Sequence, residues 1–407
     1  MNKAVKTPKN IKEDKMSDGR ARGKSVLHHI VQWGLWILTV ISILGILAAS
    51  FGGNFNPYAF KGLSIMELTM PVWLTFMIIV TILDLLWCRK AFVFCVLTFI
   101  ACANAIWEYC PMNIFGPSEK KYAECPKFTL LTYNIASFYN MQGEYPDGIN
   151  PTVSYIIKKN ADVVCLQETE VTLSGPFKAY HITSSQIDSI NSLYPYRLLY
   201  GGFLTVLSKY PLEAIHTPPL CNDSINRWRI YPIGVFRLNI EGLPVTLFDV
   251  HLQSYGLSRS DKNLYKNIAE GKEISDVTEG SLRTNLHDIK HQIFDKVQYA
   301  AEKRADEADA LCRYIEKFGG PNVIIAGDFN DVPGCYTLNR LKDYKMKQVY
   351  PELGFGPMVT YNADMFYFRI DHVLYRGGIV PLKISRGSIK FSDHYPLEVT
   401  FAITGNP

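Results

Sequence analysis

The first quarter of the chain is dominated by long apolar stretches and the rest by short alternating runs. From Val26 to Phe51 the sequence is apolar apart from His28, His29 and Gln32, long enough to cross a bilayer. After a polar loop, Gly52 to about Glu67, a second apolar run covers Leu68 to Cys88 and contains Asp84. Arg89 and Lys90 form a tight basic hinge. A third run, Ala91 to Tyr109, ends in Trp107 and Tyr109, residues suited to a membrane interface. Three transmembrane helices are expected. Asp84 is expected to sit near the polar end of its helix and reach the interface. A linker rich in proline and glycine follows over residues 110–126.

From Lys127 the period changes. Phe128–Tyr133, Asp162–Leu166 and Phe203–Leu207 have strand length, and Pro151–Lys159 predicts a short helix. Val235–Ile240 and Val245–Val250 predict a hairpin around Glu241-Gly242. Residues 255–282 are polar and irregular, and Leu286 to about Phe318 carries helical spacing. Val323–Ala326 is a buried strand that stops at Gly327. Arg369–Tyr375 and Leu397–Ile403 are the late strands. Alternating strands and helices indicate an α/β domain over residues 127–407.

Charge fixes an orientation. The 407-residue chain has a formal net charge of +4, and residues 1–24 carry eight Lys/Arg against three Asp/Glu. The remainder holds 34 Lys/Arg against 35 Asp/Glu, so it lacks the overall basic footprint of a nucleic-acid binder. Residues 1–25 are expected to be a disordered, basic cytoplasmic tail. With Arg89-Lys90 also cytoplasmic, the domain after Tyr109 lies outside the cytoplasm. A multi-pass anchor with a short linker leans toward a bacterial inner membrane and a periplasmic domain. A rival reading, cleavage of the first span near Ala48–Ser50, leaves the domain on the same side. Nine cysteines show no zinc-binding spacing. Cys110 and Cys125 bracket the linker and could pair outside the cytoplasm.

The chemistry gathers where the strands end. Asn134, Glu168, His251, Asp328, Asn330, Asp371, Asp393 and His394 lie at or just past apolar runs. Oxygen donors without thiolates favour Mg²⁺ or Mn²⁺. Histidines without a zinc-type helical spacing suit proton transfer. A metal, a base for water and a donor for the leaving oxygen together suffice to hydrolyse a phosphoester.

Six stretches in order, Thr132-Tyr-Asn134, Leu166-Gln-Glu168, His251-Leu252, Gly327-Asp-Phe-Asn330, Arg369-Ile-Asp371 and Ser392-Asp-His394, resemble the endonuclease/exonuclease/phosphatase family. That family includes deoxyribonucleases, sphingomyelinases and inositol-phosphate phosphatases. The resemblance implies a four-layer α/β sandwich of two packed mixed β-sheets flanked by helices. It also implies a Mg²⁺-dependent phosphoric ester hydrolase. By resemblance Glu168 is the main metal ligand, assisted by Asn134 and Asp393. His394, oriented by Asp371, acts as general base, although some members use the acid itself. Asp328 and Asn330 orient water and phosphate, and His251 donates to the phosphate or leaving oxygen. Arg229, beside Arg227 and Trp228, is a candidate phosphate-binding residue, as is Asn330. Asp249 stands where members often carry Asn, which implies added negative charge beside the site. His372 is expected to face away from the site. The stretch 253–318 is longer than the core needs and is either a recognition lid or a solvated helix. The expected substrate is a phospholipid headgroup or small phosphoester. Nucleic acid is the alternative, and an inactive binding module is the alternative of another class. No obligate protein partner is implied.

Overall fold

The computed structural model describes residues 8–116, 119–218, 232–256, 279–363 and 367–405. Arg227, Trp228 and Arg229 lie outside the described residues, as does most of the polar stretch after Gly256. The chain divides into two compact units. One comprises Met1–Ser50 with Leu68–Asn104, and the other Phe51–Glu67 with Ala105–Pro407.

In the first unit a helix runs from Pro8 to Phe51. The tail expected to be disordered is therefore helical from Pro8. Its Lys, Glu, Ala and Arg residues favour helix, and proline suits a first helical position. His28–Asn54 and Leu63–Trp87 are long and apolar enough to cross a membrane. The third apolar run is not one straight helix. It is the pair Arg89–Ala101 and Ala103–Tyr109, bent by 64°. The basic hinge is as expected, because the second helix ends at Trp87 and the next begins at Arg89.

Asp84 corrects its expectation: it is fully buried. Thr39 Oγ1 donates to its Oδ2 at 2.7 Å, and Cys95 Sγ lies 3.5 Å from the same oxygen. One carboxyl thus ties together three helices, while its Oδ1 has no partner. Polar bonds between apolar helices typically contribute about 1 kcal/mol. Asp84→Val should therefore destabilise this unit by about that much, seen as a lowered denaturant midpoint by helical circular dichroism in detergent micelles. An unshifted midpoint would show that the three-way bond adds nothing.

The second unit is built on two six-stranded sheets. β1 (Lys127–Asn134), β2 (Val163–Gln167), β3 (Tyr196–Tyr200), β4 (Leu204–Ser208), β11 (Ile379–Arg386) and β12 (Leu397–Ile403) form one, ordered β11-β12-β1-β2-β4-β3. β5 (Leu212–Ile215), β6 (Ile233–Ile240), β7 (Leu243–His251), β8 (Val323–Asp328), β9 (Lys347–Gln348) and β10 (Asp371–Arg376) form the other, ordered β5-β6-β7-β8-β10-β9. Both sheets are mixed: β1 and β2 run parallel, as do β7 and β8, and the other pairs are antiparallel.

Alternation along the strands separates three cores. Leu130, Cys165, Val206, Leu247, Ala326 and Val399 fill the space between the sheets. Leu131, Tyr133 and Val164 face outward, onto residues of the helices Pro151–Lys159 and Ser184–Leu193. Phe248, Val250 and Ile325 face the other way, against Leu311 and Ile315 of the helix Glu279–Phe318. The four-layer expectation holds. The long stretch before residue 318 ends as a helix packed on the sheet, as one of the two readings required. The hairpin also forms where expected, with Glu241 at φ 51° and Gly242 at φ 85°, the left-handed pair that a two-residue turn demands.

The segment expected to be a linker is docked at its start. Asn113 Nδ2 donates to the Pro351 carbonyl at 3.0 Å, and Gly356 N–H donates to the Pro111 carbonyl at 2.7 Å. Cys110 and Cys125 are both free thiols.

Candidate active site

The strands that carry the chemistry point it into one end of the gap between the sheets. Leu130, Thr132 and Asn134 share one face of β1. Leu247, Asp249 and His251 share one face of β7, and Ile324, Ala326 and Asp328 one face of β8. The same apolar faces build the inter-sheet core. Register does the rest. Asp328 lies directly across from His251 on one side and Asp371 on the other. Three polar groups from three adjacent strands are thereby fixed side by side on rigid backbone.

Three positions with positive φ shape this end. Gly327 sits at φ 141°, and a Cβ there would collide with the Val250 carbonyl oxygen. That close approach brings β7 and β8 together immediately before His251 and Asp328. Glu168 and Asn330 hold left-handed backbone at φ 54° and φ 50°. Asparagine tolerates this well, whereas glutamate stores strain there of about 1 kcal/mol or more. The strained turn puts the Glu168 carboxylate over the end of β2 and not along it.

The contacts among the side chains are short. Asn134 Nδ2 donates to Glu168 Oε1 at 2.9 Å and to Asp328 Oδ2 at 3.0 Å, while its Oδ1 accepts the Ala136 N–H. Asn134 thus orients both carboxylates. Asn330 donates its backbone N–H to Asp328 Oδ1 at 2.8 Å and its Nδ2 to the Leu252 carbonyl at 3.0 Å. His251 Nε2 is 3.5 Å from Glu168 Oε1 and 3.7 Å from Asp328 Oδ2. His394 Nε2 is 3.6 Å from the same Asp328 oxygen, and its Nδ1 is 2.8 Å from Asp371 Oδ2. Asp328 therefore stands between two imidazoles.

Asp393 reaches the cluster through its neighbour. The Ser392 hydroxyl donates to the Asn134 carbonyl at 2.8 Å, lies 3.2 Å from Asp393 Oδ1, and accepts the His394 N–H. Ser392 binds the turn before β12 to the end of β1, a role that its place in the Ser-Asp-His motif alone did not reveal. Thr360 was not singled out either: its hydroxyl accepts the N–H groups of Ile370 and Asp371 and fixes the start of β10.

Burial sets the charges. It pushes the Asp328 carboxyl up to about 6; His394 pulls it down, and Asp371 adds to the rise. Burial works against a charged His394, but Asp371 and Asp328 outweigh it and push the imidazole up to about 10. At neutral pH His394 is imidazolium and Asp328 is largely carboxylate.

Asp249 departs from its expectation. It is fully buried, its Oδ1 accepts Gln167 Nε2 at 2.6 Å, and burial raises its carboxyl well above the ordinary range, offset only partly by that bond. Burial thus works against the extra negative charge expected there. Thr132, Gln167 and Asp249 instead form a hydrogen-bonded layer between the sheets below the site. His372 faces away, as expected. It packs edge-on against Phe329, and its Nε2 is 2.9 Å from the Asp331 carbonyl. Burial lowers its pKa to about 3, so the neutral ring donates that bond.

A hard divalent cation fits the donors present. They are carboxylate oxygens with imidazole, without thiolate, while Asn134 turns its NH₂ toward the carboxylates and its oxygen toward the Ala136 N–H. Glu168 is held from one side by Asn134, and its side chain remains 41% exposed. A second group of ligand-type atoms, from Asp328, Asp371 and His394, lies within 4.8 Å. Its Asp371–His394 hydrogen bond already engages two of those groups, which suits it to holding charge and protons. Beside Glu168 and His251 opens a cleft of about 270 Å³, walled also by Glu170, Phe203 and Glu307.

The endonuclease/exonuclease/phosphatase family matches residues 131–394, which enclose the whole cluster. Solved structures of low identity are also similar to this chain. An endonuclease/exonuclease/phosphatase from Beutenbergia cavernae is 15% identical, with a TM-score of 0.43 over 69% of this chain and 72% of that one. TDP2 from Caenorhabditis elegans is 17% identical, with a TM-score of 0.41 over 68% and 97%. The beta toxin from Staphylococcus aureus is 17% identical, with a TM-score of 0.40 over 67% and 99%. Among curated proteins no match is found.

Proposed function

Because this chain belongs to the endonuclease/exonuclease/phosphatase family, we propose that it is a divalent-metal-dependent phosphoesterase, anchored in a membrane and acting outside the cytoplasm. The observation that carries the reading is the convergence of His251 and His394 on Asp328, with Glu168 held alongside by Asn134. Glu168 and Asp393 would hold Mg²⁺ or Mn²⁺, with Asn134 assisting. The ion would neutralise phosphoryl charge and favour in-line attack by water.

The chain's own groups divide the remaining work. Asp328 accepts the proton of the attacking water, and Asn330 fixes that carboxylate from below. His394, kept charged by Asp371, stabilises the negative charge that develops on the phosphoryl oxygens. His251 donates toward the leaving oxygen. The family resemblance gave the base to His394; its charged state favours Asp328 for that role.

A small phosphoester or lipid headgroup suits this site better than nucleic acid. The cleft lies below the usual size range of small-molecule pockets and is walled by Glu168, Glu170 and Glu307. The residues beyond the N-terminal tail carry no basic excess. Arg229, outside the described residues, remains the proposed phosphate contact. The membrane reading draws support from connectivity. Phe51–Glu67 and the chain from Ala105 onward belong to one compact unit. A membrane crossed at Leu63–Trp87 must then be crossed back before Ala105, which gives the bent pair its task.

The test is hydrolysis by the full-length protein of bis-p-nitrophenyl phosphate, sphingomyelin, phosphatidylinositol phosphates and plasmid DNA. Turnover should require Mg²⁺ or Mn²⁺, vanish with EDTA, and be abolished by Glu168→Gln. A DNA preference that falls steeply with salt would instead support the nuclease alternative. A folded protein inert on the whole panel would support the binding module.

A further inference from the structure

Phe51–Glu67 lies outside the matched region 131–394, yet it is built into the same compact unit as the sheets. It is held along its length. Gln298 Nε2 donates to the Pro57 carbonyl at 2.8 Å, and Gln298 Oε1 accepts the Gly62 N–H at 3.0 Å. The Tyr58 hydroxyl donates to Asp306 at 2.7 Å. Gly53 passes so close to the backbone of Gly334 and Cys335 that a Cβ would collide with it. The segment thus grips both the long helix Glu279–Phe318 and the loop that follows the Asp328–Asn330 motif.

Its last residue, Glu67, is 4% exposed, and its Oε2 has no hydrogen-bond partner. Burial and the negative charge of Asp331 raise its carboxyl well above the ordinary range, and the positive charge of Arg304 opposes the rise. Arg304, 1% exposed, donates from Nε to Asp331 Oδ2 at 2.9 Å and from Nη1 to the Gln253 carbonyl at 2.9 Å. Its guanidinium lies 4.5 Å from the Tyr255 ring centre. Buried charge of this kind is a poor source of stability, and its better-attested use is to fix one arrangement. The arrangement fixed here is that of Asp331, which touches both halves of the candidate machinery. Asn330 precedes it in the chain. The Asp331 carbonyl accepts the Nε2–H of His372, whose neighbour Asp371 holds His394.

We propose that Glu67 is a positioning residue: with Arg304 and Asp331 it couples the docked Phe51–Glu67 segment to the placement of Asp328, Asn330 and Asp371, so that turnover depends on that segment being seated. The proposal rests on the phosphoesterase reading. Phe51–Glu67 also joins the first two apolar helices covalently, so the coupling makes the anchor's loop a working part of the site.

The experiment uses the full chain in detergent micelles, with bis-p-nitrophenyl phosphate and saturating Mg²⁺, beside hydrogen exchange. Glu67→Gln should lower kcat about tenfold, the scale of loss from small misplacements, with KM nearly unchanged. Exchange should quicken at residues 328–336 and around His372, and stay the same in β1 and β2. A purely structural Glu67 would instead lower thermal stability and leave kcat per folded molecule intact; that result overturns the proposal. Should Glu67→Gln not fold, the pair Tyr58→Phe and Gln298→Met loosens the segment without disturbing the buried charges. Several-fold lower kcat in that pair sustains the proposal, and unchanged kcat overturns it. A wild type that leaves the probe intact would count against the phosphoesterase reading. The exchange pattern would then decide the coupling alone, with an unchanged pattern overturning it.

Discussion

Asp328→Asn should lower kcat by about three orders of magnitude, the usual scale for losing a general base together with a charge at the reacting centre. The substitution keeps the size of the side chain, and an amide oxygen can still accept the Asn330 N–H that now bonds Oδ1. What disappears is the negative charge between His251 and His394. The pH profile makes the prediction specific. Burial raises the Asp328 carboxyl to about 6, so wild-type activity should fall as pH drops through about 6 and the base becomes protonated. On the alkaline side, Asp371 and Asp328, against burial, hold the imidazolium of His394 to about 10, and activity should fall as that proton leaves. In Asp328→Asn the acid limb should vanish from the residual rate. If the limb near 6 persisted unchanged in the mutant, the base would have to be another group.

Gly327→Ala should be severely damaging to the domain. At φ 141° an L-residue is strained, and the added carbon meets the Val250 carbonyl, backbone that cannot rotate aside. Strained backbone and overpacking together put the expected loss at roughly 3 kcal/mol or more. The collision also lies between Val250 and Gly327, the pair immediately before His251 and Asp328 in the register. Spreading the strands there should misplace two catalytic candidates at once. Thermal unfolding of the full-length variant, with kcat on whatever folds, separates the two effects. A midpoint equal to wild type would mean that the strands part without cost.

The sequence carried the site better than it carried the site's supports. Asp328, His251 and Asn134 were legible because each ends an apolar strand, and Asp371 because it opens one; a strand end is a local pattern. Their convergence follows from alternation once two sheets stack. The setting of Asp249 was hidden because it depends on burial opposite Gln167, which belongs to the other sheet. Asp84 was misjudged for the same reason, since Thr39 and Cys95 come from other helices. Nothing around Glu67 announces that Arg304 will meet it. Strands β3, β5, β9 and β11 escaped notice for a different cause: they are sheet edges, with mixed polarity and half-exposed faces that blur the alternation.

The second unit is interrupted in sequence: its first piece, Phe51–Glu67, is separated from the rest by Leu68–Asn104. During synthesis that piece emerges long before the sheets it must join. Should the intervening apolar helices cross a membrane, that piece can join the sheets only if they return the chain to the side on which it was left. A wrong number of crossings would then keep Phe51–Glu67 from its seat on the helix Glu279–Phe318. The discontinuity would act as an assembly checkpoint, with correct threading a condition for a complete domain. It also means that the domain is no portable cassette. Cutting the chain after the linker would discard a part of the domain along with the apolar helices.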